Sequence, residues 1–114
     1  MIKTNENLKL TKEQNTKGED KLFLYNIADF ENINPSLRMF SQAELRKGEE
    51  VEFHIHEGES EIYYILSGKA LYDDNGVKKE IGPGTVTYTP SGEGHGIKNI
   101  GDETLVFIAH IIEN

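Results

Sequence analysis

Along most of this chain the apolar side chains recur at every second position, and the runs are short. From Glu50 to His56, Val51, Phe53 and Ile55 fall on one side of the pattern, and Glu50, Glu52, His54 and His56 on the other. That is the period of a strand, whose successive side chains turn to opposite faces. The same period marks Lys21 to Ile27, Glu61 to Ser67, Lys69 to Asp73, Val77 to Ile81, Thr85 to Thr89, His95 to Ile100 and Thr104 to Ile112. Leu37 to Leu45 alternates loosely. Leu37, Met39, Ala43 and Leu45 share one side and Arg38, Phe40 and Gln42 the other, with a helix over Ser41 to Lys47 as the alternative to a strand. Asp29 to Pro35 reads as a loop or a short turn of helix. Asn34-Pro35-Ser36, Gly82-Pro83-Gly84 and Gly101-Asp102 are turn signals. Asp74-Asn75-Gly76 is the strongest hairpin signal, because a type I′ turn needs two residues at positive φ. Short strands closely spaced by turns predict an all-β barrel or sandwich.

Two of these strands are apolar on both faces. Tyr63 and Ile65 oppose Ile62, Tyr64 and Leu66 on one; Leu105, Phe107, Ala109 and Ile111 oppose Val106, Ile108 and Ile112 on the other. A small barrel has a single inside, so the second apolar face requires another cover. A homodimer built on the outward strand surfaces is the expected cover. His110 falls on this second face and is expected to be structural or part of an interface. Residues 1–20 are polar and form either a flexible tail or an arm lying along the domain, which occupies 21–114.

Composition narrows the picture. At 114 residues and 36% hydrophobic the chain is one globular domain. Twenty acidic against twelve basic side chains leave a net charge of −8, which opposes nucleic-acid binding. No apolar run approaches the ~20 residues of a membrane span, and Met-Ile-Lys-Thr-Asn-Glu is unlike a secretory leader. With no cysteine, the chain is expected to be cytoplasmic and any metal site to use nitrogen and oxygen donors.

The chemistry concentrates between Gly48 and Gly68. His54 and His56 share a strand face roughly 7 Å apart, at ~3.3 Å rise per residue, so one metal ion can take both. Glu61, beyond the Glu57-Gly58-Glu59-Ser60 break, opens the next apolar run, where a carboxylate can reach the same point. Periodicity alone leaves the alternative open, because the two histidines share their face with Glu50 and Glu52, the usual solvent side of an amphipathic strand. His95, taken by itself in Gly-Glu-Gly-His-Gly, reads as a loop histidine.

The spacing of these residues resembles the two motifs of the cupin superfamily. Gly48, His54, His56, Glu61 and Gly68 fall on the first motif, and Gly84, Pro90, Gly92, His95 and Asn99 on the second, with fifteen residues between them. The resemblance implies a double-stranded β-helix, or jelly-roll barrel, of the small single-domain type, and a homodimer. It implies a divalent transition metal (Fe, Mn, Ni, Co or Zn) held by His54, His56, Glu61 and His95. It also implies a small-molecule ligand or substrate, while the acidic charge and the lack of a long apolar run are what lead to the expectation of no nucleic acid and no membrane. The function expected is that of a metalloenzyme acting on a small oxygenated metabolite, dioxygenase or isomerase-like, with decarboxylase also in range. The alternative is a non-catalytic small-ligand or sugar-binding module. Glu59 and Glu93 are the candidate proton-transfer groups, with Glu57 a third acid nearby. Arg38 and Gln42 are candidates for contact with an anionic or hydroxylated substrate. Tyr63 and Tyr88 are candidate pocket walls, and Asn99 is expected to fix a turn through its amide.

Overall fold

The computed structural model describes residues 2, 4, 6, 8–16, 18–28 and 33–114. These contain ten strands: β1 Lys12–Asn15, β2 Lys21–Asn26, β3 Leu37–Leu45, β4 Glu50–Ile55, β5 Glu59–Ser67, β6 Ala70–Asp74, β7 Val77–Ile81, β8 Val86–Thr89, β9 Gly94–Asn99 and β10 Leu105–Glu113. Six form one antiparallel sheet in the order β1-β2-β3-β10-β5-β8, and four form the other, β4-β9-β6-β7. The two sheets face each other as the double-stranded β-helix that the motifs imply. Among the described residues no helix is long and apolar enough to cross a membrane.

Most predicted elements appear close to their expected bounds. β3 continues as a strand through Leu45, and the helix alternative over Ser41 to Lys47 is not taken. Ala43 and Leu45 pair with Phe107 and Leu105 of β10, and that alternate burial outweighs any local helical preference. Asn75 and Gly76 both take positive φ, 49° and 101°, as the hairpin signal requires. Asn34 makes its turn by accepting the Ser36 N–H at 2.9 Å. The expected loop over Asp29 to Pro35 lies partly outside the described residues.

Within the expected polar arm, Lys12–Asn15 forms β1 and pairs with β2. The tip of this hairpin is tied to the opposite sheet. Thr16 donates its hydroxyl to the Glu50 carbonyl, the Glu50 N–H donates to Asp20 at 3.1 Å, and the Lys21 N–H donates to Glu49 at 2.9 Å. These bonds hold β1 and β2 across the open side of the barrel.

The core lies between the sheets. Phe107, Leu45, Ile65, Ile97 and Leu105 are fully buried there, each contributing about 1.5–3 kcal/mol by leaving water. The outer face of the larger sheet is also apolar. Phe40, His110, Ile62 and Tyr88 stand side by side across β3, β10, β5 and β8, with Ile108, Tyr64 and Val86 in the adjacent row. The ring of His110 rests on Phe40 with centroids 5.2 Å apart. Tyr64, Val86 and Tyr88 are 45%, 65% and 58% exposed, so none of the described residues covers this face.

Asn99, in the second motif, closes the β9–β10 connection. Its amide N–H groups donate to the carbonyls of Leu45 at 2.9 Å and Glu103 at 2.8 Å, and its oxygen accepts the Gly101 N–H at 3.0 Å. The side chain is 1% exposed, so water has no access to replace it. Asn99→Ala orphans these groups and is expected to lower the unfolding free energy by about 2–4 kcal/mol. A denaturant titration checks this; a loss below about 1 kcal/mol would show that the bonds are dispensable.

Candidate metal centre

β4 departs from simple alternation at the point where the site is built. Val51 pairs with Ile97 and His54 pairs with His95, so between these pairs two residues on β4, Glu52 and Phe53, answer one on β9, Gly96. This β-bulge corrects the expectation that Val51 shares a face with Phe53 and Ile55. Val51 turns inward and is buried, while Phe53 and Ile55 are 47% and 58% exposed. The extra residue brings Val51 and His54 to the same inner face, where strict alternation would have set them on opposite sides.

Two glycines make room for the bulge. A β-carbon on Gly96 would lie 3.0 Å from the Phe53 nitrogen and 3.2 Å from its α-carbon. One on Gly94 would lie 2.4 Å from the edge of the Phe53 ring. Gly94 and Gly96 flank His95, so bare backbone on β9 lets β4 approach closely enough to bring His54 opposite His95.

Four side chains converge inside the barrel. His54 and His56 come from β4 and its end, Glu61 from β5 and His95 from β9. The Nε2 atoms of His54 and His56 are 3.2 Å apart, and those of His56 and His95 3.0 Å. Glu61 Oε1 lies 2.9 Å from Nε2 of both His56 and His95. All four donor atoms lie within 4.8 Å of one another. His56, Glu61 and His95 are buried, and His54 is half-buried.

The opposite ring nitrogens are engaged elsewhere. His54 Nδ1 donates to the Glu52 carbonyl at 2.8 Å, inside the bulge. His56 Nδ1 donates to the Glu59 carboxylate at 3.1 Å. His95 Nδ1 meets the hydroxyls of Tyr72 at 2.9 Å and Thr89 at 3.0 Å, and its ring is stacked on Tyr63 at 4.7 Å. With protons at Nδ1, three Nε2 lone pairs and a carboxylate oxygen point at a common space. Such a set repels itself unless a proton or a cation lies between its members. At the ~2.0–2.1 Å of a metal–nitrogen bond, donors at right angles around one ion are about 3.0 Å apart, and the observed separations match. The residues therefore fit a divalent metal, and the partners at Nδ1 are the kind that fix ligand histidines.

The electrostatics favour the same reading. Burial, the largest influence, lowers the His54 pKa and keeps its ring neutral. His56 is raised above 6.5, chiefly by its bond to Glu61 and also by Glu59, against the effect of burial. Burial by itself would raise the Glu61 carboxyl, but bonds to His56 and His95 more than offset it and hold the group below its ordinary value. Tyr63, fully buried and close to Glu61, is pushed well above 10 and stays a neutral phenol.

A cavity of about 760 Å³ opens over the cluster. His54, His56, Glu59, Glu61 and Tyr63 form its floor side; Leu22, Leu24, Met39, Val51 and Ile111 give it apolar walls. Of the other sequence candidates, Arg38 lines this cavity, while Gln42 bonds to Glu44 at 3.1 Å on the outer side. Glu93 holds His56 through its backbone, its carbonyl accepting the His56 N–H at 3.1 Å. Glu93 and Glu57 are absent from the cavity wall. Tyr88 is on the outer face, so only Tyr63 of the two tyrosines reaches the site. Tyr72 and Thr89 were not among the sequence candidates. Thr89 pairs with Glu61 across β5 and β8, a relation that depends on strand register and leaves no local signal.

Residues 41–111 match the model of the Cupin domain family. The chain belongs to the cupin family. It is 40% identical over 95 residues to the oxalate-binding protein of Thermotoga maritima, covering 83% of this chain and 78% of that one. A crystal structure of a predicted oxalate decarboxylase from Thermotoga maritima superposes with a TM-score of 0.89, at 35% identity over the whole of both chains. A Cupin 2 conserved barrel domain protein from Salinispora arenicola shares the fold at TM-score 0.70 and 22% identity, over 99% of this chain and 88% of that one.

Protonation and metal uptake at this cupin cluster should run in opposition. Since the His56 pKa is raised, a proton competes for its nitrogen at a higher pH than at an ordinary histidine. Divalent-metal affinity, read by chelator competition, is expected to weaken below about pH 7 by up to tenfold per pH unit. The metal-free protein should behave in reverse. A raised histidine pKa contributes stability that is complete below 6.5 and lost as pH rises through the folded value. The lowered Glu61 pKa keeps its contribution above 4.5, so it does not mask that trend. The lowered His54 pKa acts in the opposite sense, but only until pH has risen past 6.5. Thermal melts of the metal-free protein from about pH 7 to about pH 8 should therefore fall; a rise would contradict the assignment.

Proposed function

We propose that this cupin binds a divalent transition metal through His54, His56, Glu61 and His95 and uses it to hold a small dicarboxylic acid of the oxalate type. The observation that carries this reading is the convergence of three Nε2 atoms and one carboxylate oxygen at 2.9–3.2 Å beneath an open cavity. A metal bound there supplies positive charge and open positions for ligand oxygens. The chain's own residues exclude water on the His95 side and orient the imidazoles through Glu52, Glu59, Tyr72 and Thr89. The names borne by the Thermotoga maritima relatives support oxalate as the ligand class to try first.

Binding is favoured over catalysis by the state of the cavity's acids. Glu61 belongs to the cluster, Glu59 is bonded to His56, and Glu52 is exposed on the bulge. The second reading, a decarboxylase, rests on Glu59. Its carboxylate lines the cavity and its side chain is 25% exposed, so it is placed to meet a ligand as an acid or base. Dioxygenase and isomerase chemistry has no comparable residue-level support here.

Elemental analysis and calorimetry test the reading together. Wild-type protein loaded with Mn(II) is expected to carry one metal per chain and to bind oxalate, and the metal-free protein is not. His95→Ala should lose at least tenfold in metal affinity, with oxalate binding lost alongside it. Full metal occupancy in both His95→Ala and His54→Ala would end the proposal. Release of carbon dioxide and formate from oxalate, abolished in Glu59→Gln, would select the decarboxylase.

The uncovered outer sheet supports a homodimer. Phe40, Ile62, Tyr64, Val86 and Tyr88 form a continuous apolar surface on a protein whose net charge of −8 otherwise favours separation. Sedimentation velocity at micromolar concentration is expected to give twice the 12.9 kDa chain mass, and Tyr64→Glu to give the monomer. A wild-type monomer would remove this assignment.

A further inference from the structure

The cavity is much larger than oxalate. Six non-hydrogen atoms displace a few waters at ~30 Å³ each, on the order of 100 Å³, whereas the cavity holds about 760 Å³. Its far wall is β1. Lys12 pairs with Leu24 and Gln14 with Leu22, and residues directly opposite in an antiparallel pair share a face. All four line the cavity. Glu13, between them, takes the other face and pairs with Lys21 at 3.2 Å. β1 thus sets Lys12 and Gln14, both exposed, at the mouth of the cavity, beside an apolar strip of Leu22, Leu24 and Met39. Among the described residues Lys12 and Gln14 have no polar partner. Arg38, at the bulge where Ile111 and Ile112 answer Met39 and Leu37, lies on the same rim, but its charge is met by Glu113 at 3.9 Å.

We infer that β1 is a recognition strand for the distal end of an acid longer than oxalate. The ligand class is a 2-oxo dicarboxylic acid. Its head presents two oxygens on adjacent carbons, as oxalate does. Its methylene spacer lies on the apolar strip, and its second carboxylate pairs with Lys12 and accepts from Gln14. One ammonium and one amide match a carboxylate; a phosphate, with more charge and more acceptor oxygens, would call for a denser set of cations. This inference rests on the cluster being a metal centre that holds the head.

A matched pair of probes isolates the distal group. 2-Oxoglutarate and 2-oxopentanoate share the head and chain length and differ in the second carboxylate. By calorimetry on the Mn(II)-loaded protein, 2-oxoglutarate is expected to bind at least tenfold more tightly than 2-oxopentanoate. Lys12→Met should remove most of that preference, Lys12→Arg should keep it, and both should leave oxalate affinity within twofold and the melting temperature unchanged. Equal affinity for the two oxo acids, with oxalate still bound, would overturn the inference alone. An equal loss of oxalate and 2-oxoglutarate in Lys12→Met would do the same, since it would show a general rather than distal effect. Failure of the wild-type protein to take up metal or oxalate would instead overturn the reading of the cluster, and this inference with it.

Discussion

Three imidazole Nε2 atoms and a carboxylate aimed at one another is an arrangement that a protein core does not tolerate by itself. Each Nε2 lone pair is a buried acceptor facing other acceptors, and burial makes the mismatch costlier than it would be in water. A shared positive charge resolves it, as a proton between Glu61 and its two histidine neighbours or as a metal ion. The bonds at the far side of each ring keep the cluster in place. Glu52 takes the His54 proton, Glu59 that of His56, and the Tyr72 and Thr89 hydroxyls meet His95. They set which nitrogen faces inward and leave the rings little freedom to turn away.

The barrel serves this cluster through backbone irregularity as much as through regular pairing. A flat β4 would place either Val51 or His54 inside. The bulge places both there, so the core under Ile97 stays filled while the histidines reach the centre. Gly94 and Gly96 permit the bulge by offering no β-carbon where Phe53 crosses. The placement of the histidines on β4 is therefore written partly on β9. The β1–β2 hairpin completes the enclosure from the other side. Its tip is fastened to Glu49 and Glu50 at the start of β4, so the wall bearing Lys12 and Gln14 is coupled to the strand bearing the histidines.

Inside and outside of the larger sheet do different work with similar residues. Leu105, Phe107 and Ala109 bury against the second sheet and stabilise one copy of the chain. Val106, Ile108 and His110 alternate with them and stay partly exposed on the outer face, next to the exposed Tyr64 and Val86. An apolar face of that extent in an acidic chain fits an assembly surface better than a solvent surface.

The sequence by itself determined the strands from β2 onward except the choice between strand and helix in β3, the Asn75-Gly76 turn, the four converging side chains and the doubly apolar character of β5 and β10. These follow from period-two alternation, turn chemistry and the fixed spacing of the motif residues, all of which are local or carried by the family resemblance. The bulge in β4 lay beyond it, because Val51, Phe53 and Ile55 look equivalent until β9 is laid beside them. So did the roles of Tyr72 and Thr89, which touch His95 only through cross-strand register, and the use of Lys12 and Gln14 as a cavity wall. Contacts between residues tens of positions apart depend on how strands pair and how sheets face one another, and only the tertiary structure decides that.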